Sequence, residues 1–276
     1  MSSLPLNNPH SQPDFNLTGK SLMTKQSSDK HGTSFQELAS LCSTLAVGIF
    51  VMGFLFQNFV IPSASMASTL LVGDHVVVER VTLAPSSSLV PFVHYHELRH
   101  DEPVVFFRPA PNAQGDHDIL VKRVIGLPGD HIHLRHGVVY RNGIALQEPY
   151  AAMPTATNYD PYNDDFPALP ASQGRGVLAT WSVDLPTHIQ GEDLVVPPGE
   201  YFMMGDNRTN SFDSRYWGLV PRSNLIGRPL FVYWSFEMLD DDIYKTSLTE
   251  RAESTLHTML HFFDETRWSR TLRRID

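Results

Sequence analysis

From Leu38 to Gly73 the chain carries no charged residue, and its first 24 positions, Leu38 to Ile61, read LASLCSTLAVGIFVMGFLFQNFVI. About 20 such residues in a helix cross the hydrocarbon core of a bilayer. A helix satisfies its own backbone, so Gly48, Gly53 and the serines are tolerated inside it. The expectation is a transmembrane helix over 38–61, with Cys42 within it as a small apolar residue. A buried core helix and a cleaved secretory signal compete with that reading. The apolar run is too long for a signal, and the leader before it is too long and too polar. Lys20, Lys25, Lys30 and His31 precede the run, whereas the first basic residue after it is Arg80. The positive-inside rule therefore places the N-terminus in the cytoplasm and the chain beyond the run outside.

The remainder is long enough for a sizeable core within 276 residues. A net charge of −9 argues against a nucleic-acid binder. A single cysteine excludes an intramolecular disulfide. Residues 1–37 are rich in Ser, Asn, Pro and Lys and read as a disordered cytoplasmic tail. Short β-type runs recur over 62–236: HVVVERV (75–81), VVFFR (104–108), ILVKRVIG (119–126), HIHLRHGVVYRNGIAL (131–146), EYFMMG (200–205) and PLFVYWSF (229–236). Asn142-Gly143 is a hairpin signal, because both residues accept positive φ. Closely spaced strands without long helices between them predict a mostly β, antiparallel domain. Residues 151–194, rich in Pro, Asn and Asp, read as an insertion or an irregular second lobe. Residues 237–276 read as a C-terminal amphipathic helical tail, with Leu248, Leu256, Leu260 and Phe263 near helical spacing and Arg267, Arg270, Arg273 and Arg274 around Trp268. Such a tail suits a lipid surface or a helix packed on the domain with a solvated basic face.

Four segments bear chemistry: PSASMASTLLVGD (62–74), EPVVFFRP (102–109), VKRVIGLPGD (121–130) and MGDNRTNSFDSRYWGLVP (204–221). A serine hydroxyl is a poor nucleophile until a base takes its proton. A lysine serves as that base only when an apolar site holds it neutral. Lys122 lies in an apolar β-type run, where alternation puts Leu120, Lys122 and Val124 on one face and Val121, Arg123 and Ile125 on the other. One basic residue of the Lys122-Arg123 pair can thus be buried and neutral while the other is exposed and charged.

In this order, behind an N-terminal anchor, the segments resemble the type I bacterial signal peptidases, serine proteases with a Ser/Lys dyad. The likeness runs from about Phe59 to Phe236, apart from 151–194. It implies a membrane-bound endopeptidase of the bacterial cytoplasmic membrane that cuts signal peptides from exported preproteins after small-x-small sequences, with no metal or cofactor. Ser65 matches the nucleophile and Lys122 its general base. Ser63 matches the serine that joins the Ser65 backbone N–H in the oxyanion hole. Ser211, Asp213 and Arg215 match supporting residues, Ser211 by a hydrogen bond to the lysine, with Gly205, Asp206, Asn207 and Arg208 as the turn leading in. Ile61, Pro62, Leu120 and Val121 match the walls of a groove in which a substrate strand is added between 59–63 and 120–122. Preproteins and membrane lipid are the implied partners, and a monomer suffices for the chemistry. Two positions depart from the family pattern: Ser68 stands where a proline is usual, and Thr209 where an aspartate is frequent.

Rival readings have less behind them. No GxSxG elbow accompanies the 13 histidines. His94 and His96, or His131 and His133, have same-face strand spacing without HExxH or a carboxylate set. Self-cleaving repressors share the dyad but carry a DNA-binding domain where this chain has its apolar run. A catalytically dead binding domain would not need both Ser65 and Lys122.

Overall fold

The computed structural model describes residues 30–83, 96–238 and 247–275. Helix α1 (Lys30–Phe50) continues as one π-type turn over Val51–Leu55. The 22 residues from Ser34 to Leu55 include an 18-residue stretch with a mean hydropathy of 2.1, none of it buried. They form a helix long and apolar enough to cross a membrane. Its limits differ from the expected 38–61. The helix already includes residues 30–37, assigned above to the tail, while 1–29 lie outside the described residues. At the other end, Phe56–Val60 leave the helix and form strand β1, paired antiparallel with β2 (Asp74–Glu79) from Phe56↔Glu79 to Val60↔His75. FQNFV was apolar enough to pass as membrane sequence. Its aromatic and β-branched residues suit a strand equally well, and HVVV offers the partner.

The remaining strands are β3 (Pro103–Phe107), β4 (Ile119–Gly126), β5 (His131–Arg135), β6 (Val138–Arg141), β7 (Ile144–Ala145), β8 (Ile189–Gln190), β9 (Asp193–Val195), β10 (Glu200–Met204), β11 (Val220–Pro221), β12 (Leu225–Ser235) and β13 (Arg273–Arg274). One sheet has the order β1-β2-β12-β3-β4-β10-β11, with β13 also on β12; the other is β7-β6-β5-β9-β8. All these pairings are antiparallel, as the strand pattern predicts. Asn142 (φ 54) and Gly143 (φ 77) make the expected two-residue turn between β6 and β7.

Segment 151–194 is better built than its composition suggested. It holds helices α2 (Pro161–Asp164) and α3 (Ala179–Asp184), then β8 and β9, which extend the second sheet. Tyr162, Phe166, Trp181 and Leu185 from this segment share one core with Ile125, Ile132, Leu134 and Phe202. The helices are too short to show a 3.6-residue period, so no pattern betrayed them.

After a single helical turn, α4 (Ser214–Trp217), the expected C-terminal helix is present as α5 (Leu248–Leu260), but the chain beyond it returns to the large sheet. There Thr266 bridges to Phe236, Trp234 Nε1 donates to Thr266 Oγ1 (3.1 Å), and β13 pairs with β12. Arg270 is buried and Arg267 partly so, and these two therefore serve neither a lipid surface nor a solvated face.

Phe166, fully buried and stacked on Phe202 at 5.6 Å, joins the inserted segment to the main body. Phe166→Ala should lower the unfolding free energy by about 3–5 kcal/mol, read by urea denaturation of the detergent-solubilised protein. A loss below about 1 kcal/mol would mean that the segment does not share this core.

Candidate active site

Residues 62–74 form the loop that carries Ser65. A single 3-10 turn over Ala64–Met66 sits on the large sheet because Met66 and Leu70, both fully buried, pack with Ile61, Val76, Val78 and Val105. The N–H of Ser65 lies in the first turn, where a helix offers no internal acceptor. Ser63 precedes it in extended conformation, its Oγ 3.3 Å from Ser65 Oγ.

Strand β4 carries Lys122 to the same spot. Its Nζ lies 2.5 Å from Ser65 Oγ, with Lys122 3% and Ser65 8% exposed. Burial pushes the Lys122 amine down to about 8, against the opposing pull of Asp213 and Asp206, with Arg215 assisting. No carboxylate is hydrogen-bonded to this amine among the described residues.

Those carboxylates are occupied elsewhere. Asp213 holds Arg215 in a bidentate pair (Nε–Oδ1 2.8 Å, Nη2–Oδ2 2.7 Å), both residues fully buried, and accepts from Gly205 N (3.2 Å). Burial alone would raise the Asp213 carboxyl; the guanidinium and these hydrogen bonds hold it below the usual carboxylate range. Asp206 takes both arms of Arg123 (2.8 and 2.8 Å) and the Thr69 hydroxyl (2.5 Å). Arg123 is thus buried like its neighbour, contrary to the expected split into one buried and one exposed base. Alternation does separate the two side chains, but both faces of β4 are covered here, and Tyr150 lies over the guanidinium at 3.8 Å.

Turn 205–208 grips the Ser65 loop. Asn207 N donates to Ser65 O (3.1 Å) and its side chain to Ala64 O (3.2 Å). Gly205 permits this approach, since a Cβ there would run into the Ser65 carbonyl oxygen and the Ser211 side chain. Arg208 pairs with Glu148 through both arms (2.8 and 2.6 Å). Ser211 is buried beside the Asp213 carboxylate and helps to hold it ionised, but its Oγ makes no hydrogen bond of full geometry to Lys122 or to any other of the described residues.

A groove of about 450 Å³ opens beside the pair, lined by Pro62, Ser63, Leu120, Phe212 and the Arg108–Asp118 ion pair (3.0 Å). Of the four groove residues expected from sequence, Pro62 and Leu120 line it, whereas Ile61 and Val121 pack into the core beneath. A larger hollow of about 590 Å³ around His133, Arg135 and Asp165 offers no comparable nucleophile, and its Arg135 is already paired with Glu192. His131 and His133 share Asp193 instead of a metal geometry, His96 pairs with Glu102, and His94 lies outside the described residues.

Sequence reasoning missed two supports. Arg270 grips Asp74 at 2.5 and 3.0 Å and Thr69 O at 2.9 Å, and Arg267 donates to Val72 O, so the C-terminal segment clamps the Ser65 loop. No short-range pattern links positions 196 residues apart. Ser68 is the other. It has φ 98, and its Oγ donates to Tyr150 O (2.5 Å). A proline, with φ fixed near −65°, does not fit this conformation.

A family model for signal peptidase, peptidase S26, matches residues 35–234. The probable signal peptidase I-2 of Synechocystis is 31% identical over 214 residues, covering 76% of this chain and 78% of its own. Signal peptidase I of Bacillus caldolyticus is 31% identical over 215 residues, covering 78% of this chain and 97% of its own. A solved signal peptidase I from Enterococcus faecalis is 29% identical and matches 48% of this chain and 97% of that one, with a TM-score of 0.34.

Ser68→Pro should destabilise the protein by roughly 3 kcal/mol or more and lower the thermal midpoint, whereas Ser68→Gly should stay within about 1 kcal/mol. Equal stability of the two variants would refute the left-handed conformation. Burying Lys122 also has a signature. The unfolded amine binds its proton more tightly than the folded one, so wild-type stability should rise with pH between about 8 and the ordinary lysine value of 10.5. Lys122→Met should therefore be more stable than wild type at pH 7, by on the order of 3 kcal/mol, with the advantage fading across that window. Thermal unfolding from pH 7 to 10.5 measures it.

Proposed function

The chain belongs to the signal peptidase family, peptidase S26, and we propose that it is a membrane-anchored serine endopeptidase in which Ser65 attacks the scissile carbonyl while Lys122 carries the proton. One observation bears most of this reading: a dry amine with its pKa near 8 lies 2.5 Å from the serine hydroxyl. At pH 7 roughly a tenth of such amines are neutral, against about one in three thousand for an ordinary lysine.

Neutral Nζ takes the Ser65 proton as Oγ adds to the carbonyl carbon. The resulting oxyanion is held by the Ser65 N–H and the Ser63 hydroxyl, each donor worth about 3–4 kcal/mol of transition-state stabilisation. The Lys122 ammonium then gives its proton to the departing amine, leaving an ester on Ser65. Neutral once more, Lys122 deprotonates the water that hydrolyses this ester. Asp213 and Arg215 position the local backbone. Ser211 Oγ, buried beside Asp213, is placed to orient the ammonium once it forms.

Substrates are signal-peptide-bearing preproteins. An extended segment added along the groove between 59–63 and 120–122 places alternate side chains against Pro62 and Leu120. The room there suits small residues at the first and third positions before the cut. Helix Ser34–Leu55 supplies the membrane anchor. Lys30 before it, and Lys20 and Lys25 upstream, favour a cytoplasmic N-terminus and an extracytoplasmic site at the bacterial cytoplasmic membrane.

Detergent-solubilised protein incubated with a secretory precursor should release a new N-terminus that follows a small-x-small sequence, identified by mass. Ser65→Ala and Lys122→Ala should each lower the rate more than about 1,000-fold with the fold retained, and the wild-type kcat/KM should climb with pH to an inflection near 8. Undiminished cleavage by the Ser65 variant would overturn the assignment.

A further inference from the structure

A second group of ligating side chains lies at the end of α5, apart from the candidate active site. His257, His261 and Glu265 follow one another at four-residue spacing. His261 N donates to His257 O (2.9 Å) and Glu265 N to His261 O (3.0 Å), the first bond closing the end of α5 and the second spanning the turn that follows it. Four-residue spacing puts the three side chains on one face. The imidazole centroids stand 4.5 Å apart with their planes at 31°, and both rings turn Nδ1 toward one carboxylate. His257 Nδ1 lies 3.6 Å from Glu265 Oε2, and His261 Nδ1 lies 3.8 Å from Glu265 Oε1.

These separations are too long for hydrogen bonds. They are close to what a tetrahedral ion requires: bonds of about 2.1 Å to imidazole nitrogen and carboxylate oxygen put neighbouring ligand atoms about 3.4 Å apart. One donor atom from each residue already lies within 4.8 Å of the others. Asp264 Oδ2 is hydrogen-bonded to the same His261 Nδ1 at 2.9 Å, so an arriving ion would displace the proton between them and leave Asp264 within reach of a fourth position. Two neutral imidazoles with carboxylate suit borderline divalent ions, among which zinc and copper bind such sets tightly.

We propose that His257, His261 and Glu265 form a binding site for a divalent transition-metal ion of the zinc class, completed by Asp264 or water. The consequence for the fold is local. Glu265 O accepts from Glu237 N (3.0 Å), and the next residues, Thr266 and Arg267, dock on the large sheet. An ion held here would fasten the last turn of α5 to the segment whose Arg267 and Arg270 brace the Ser65 loop. The proposal stands on these residues alone and does not depend on the peptidase reading.

Full-length, untagged protein in detergent, stripped with chelator and titrated with Co²⁺ and then Zn²⁺ at pH 7.5, should bind one equivalent with the visible absorption of tetrahedral cobalt, which zinc then quenches. Zinc should also raise the thermal midpoint. The paired substitutions His257→Ala and His261→Ala should weaken zinc binding at least 10-fold and abolish the thermal shift. Glu265→Gln should weaken binding less, and Asp264→Asn least of all. Circular dichroism and the metal-free thermal midpoint, unchanged in all of these variants, would show that they fold. Absence of saturable binding in the wild type would overturn the site, as would equal affinity in the paired-histidine variant.

Discussion

A lysine amine kept dry within reach of a serine hydroxyl is the constraint around which the rest of this molecule is arranged. Removing an ammonium from water is unfavourable, and the usual relief is a carboxylate counter-ion. That relief would be chemically self-defeating here, because a paired ammonium holds its proton. Two carboxylates, Asp213 and Asp206, are near enough to pull the Lys122 pKa upward, and each is engaged instead by a guanidinium, Arg215 and Arg123. The buried pairs therefore do more than hold loops. They occupy the negative charge that would otherwise reach the amine, and Arg215 adds a repulsion of its own.

The same pairs fix position. Asp206 reaches Thr69 on the Ser65 loop as well as Arg123 on β4, so one side chain spans the two segments that must meet. Asn207, next in sequence, holds the carbonyls of Ala64 and Ser65. Breaking a buried ion pair by removing one partner typically costs about 3–5 kcal/mol. Misplacing the hydroxyl by an ångström would be felt as strongly in rate. Stability and geometry are here maintained by the same contacts.

How much of this was legible varied with the range of the interaction. Strand β4 coincides with the run ILVKRVIG, and the Asn142-Gly143 turn was visible because hairpin chemistry is local. The segments bearing Ser65, Lys122 and Asp213 could be recognised as blocks, yet their meeting is a property of sheet order that no local pattern encodes. Strand β1 was hidden inside an apolar run, since hydropathy does not distinguish a lipid-facing helix from an edge strand. Arg123 looked like a surface residue because a basic side chain is ordinarily exposed, and only the distant Asp206 and Tyr150 reverse that. The spacing of His257, His261 and Glu265 is plain in the sequence, but it becomes informative only once both imidazoles are seen to face one carboxylate across the end of α5.

The clasp between Arg270 and Asp74 joins positions 196 residues apart. During biosynthesis Asp74 leaves the ribosome long before Arg270, and β12, which flanks β2, also follows late. The loop bearing the serine therefore waits, incompletely supported, until Arg270 has emerged. Loop closure over so long a separation is slow relative to local folding, so maturation of the site is set by the arrival of its last brace. A nascent chain of this design holds its serine in an unbraced loop until the clasping arginine has been made.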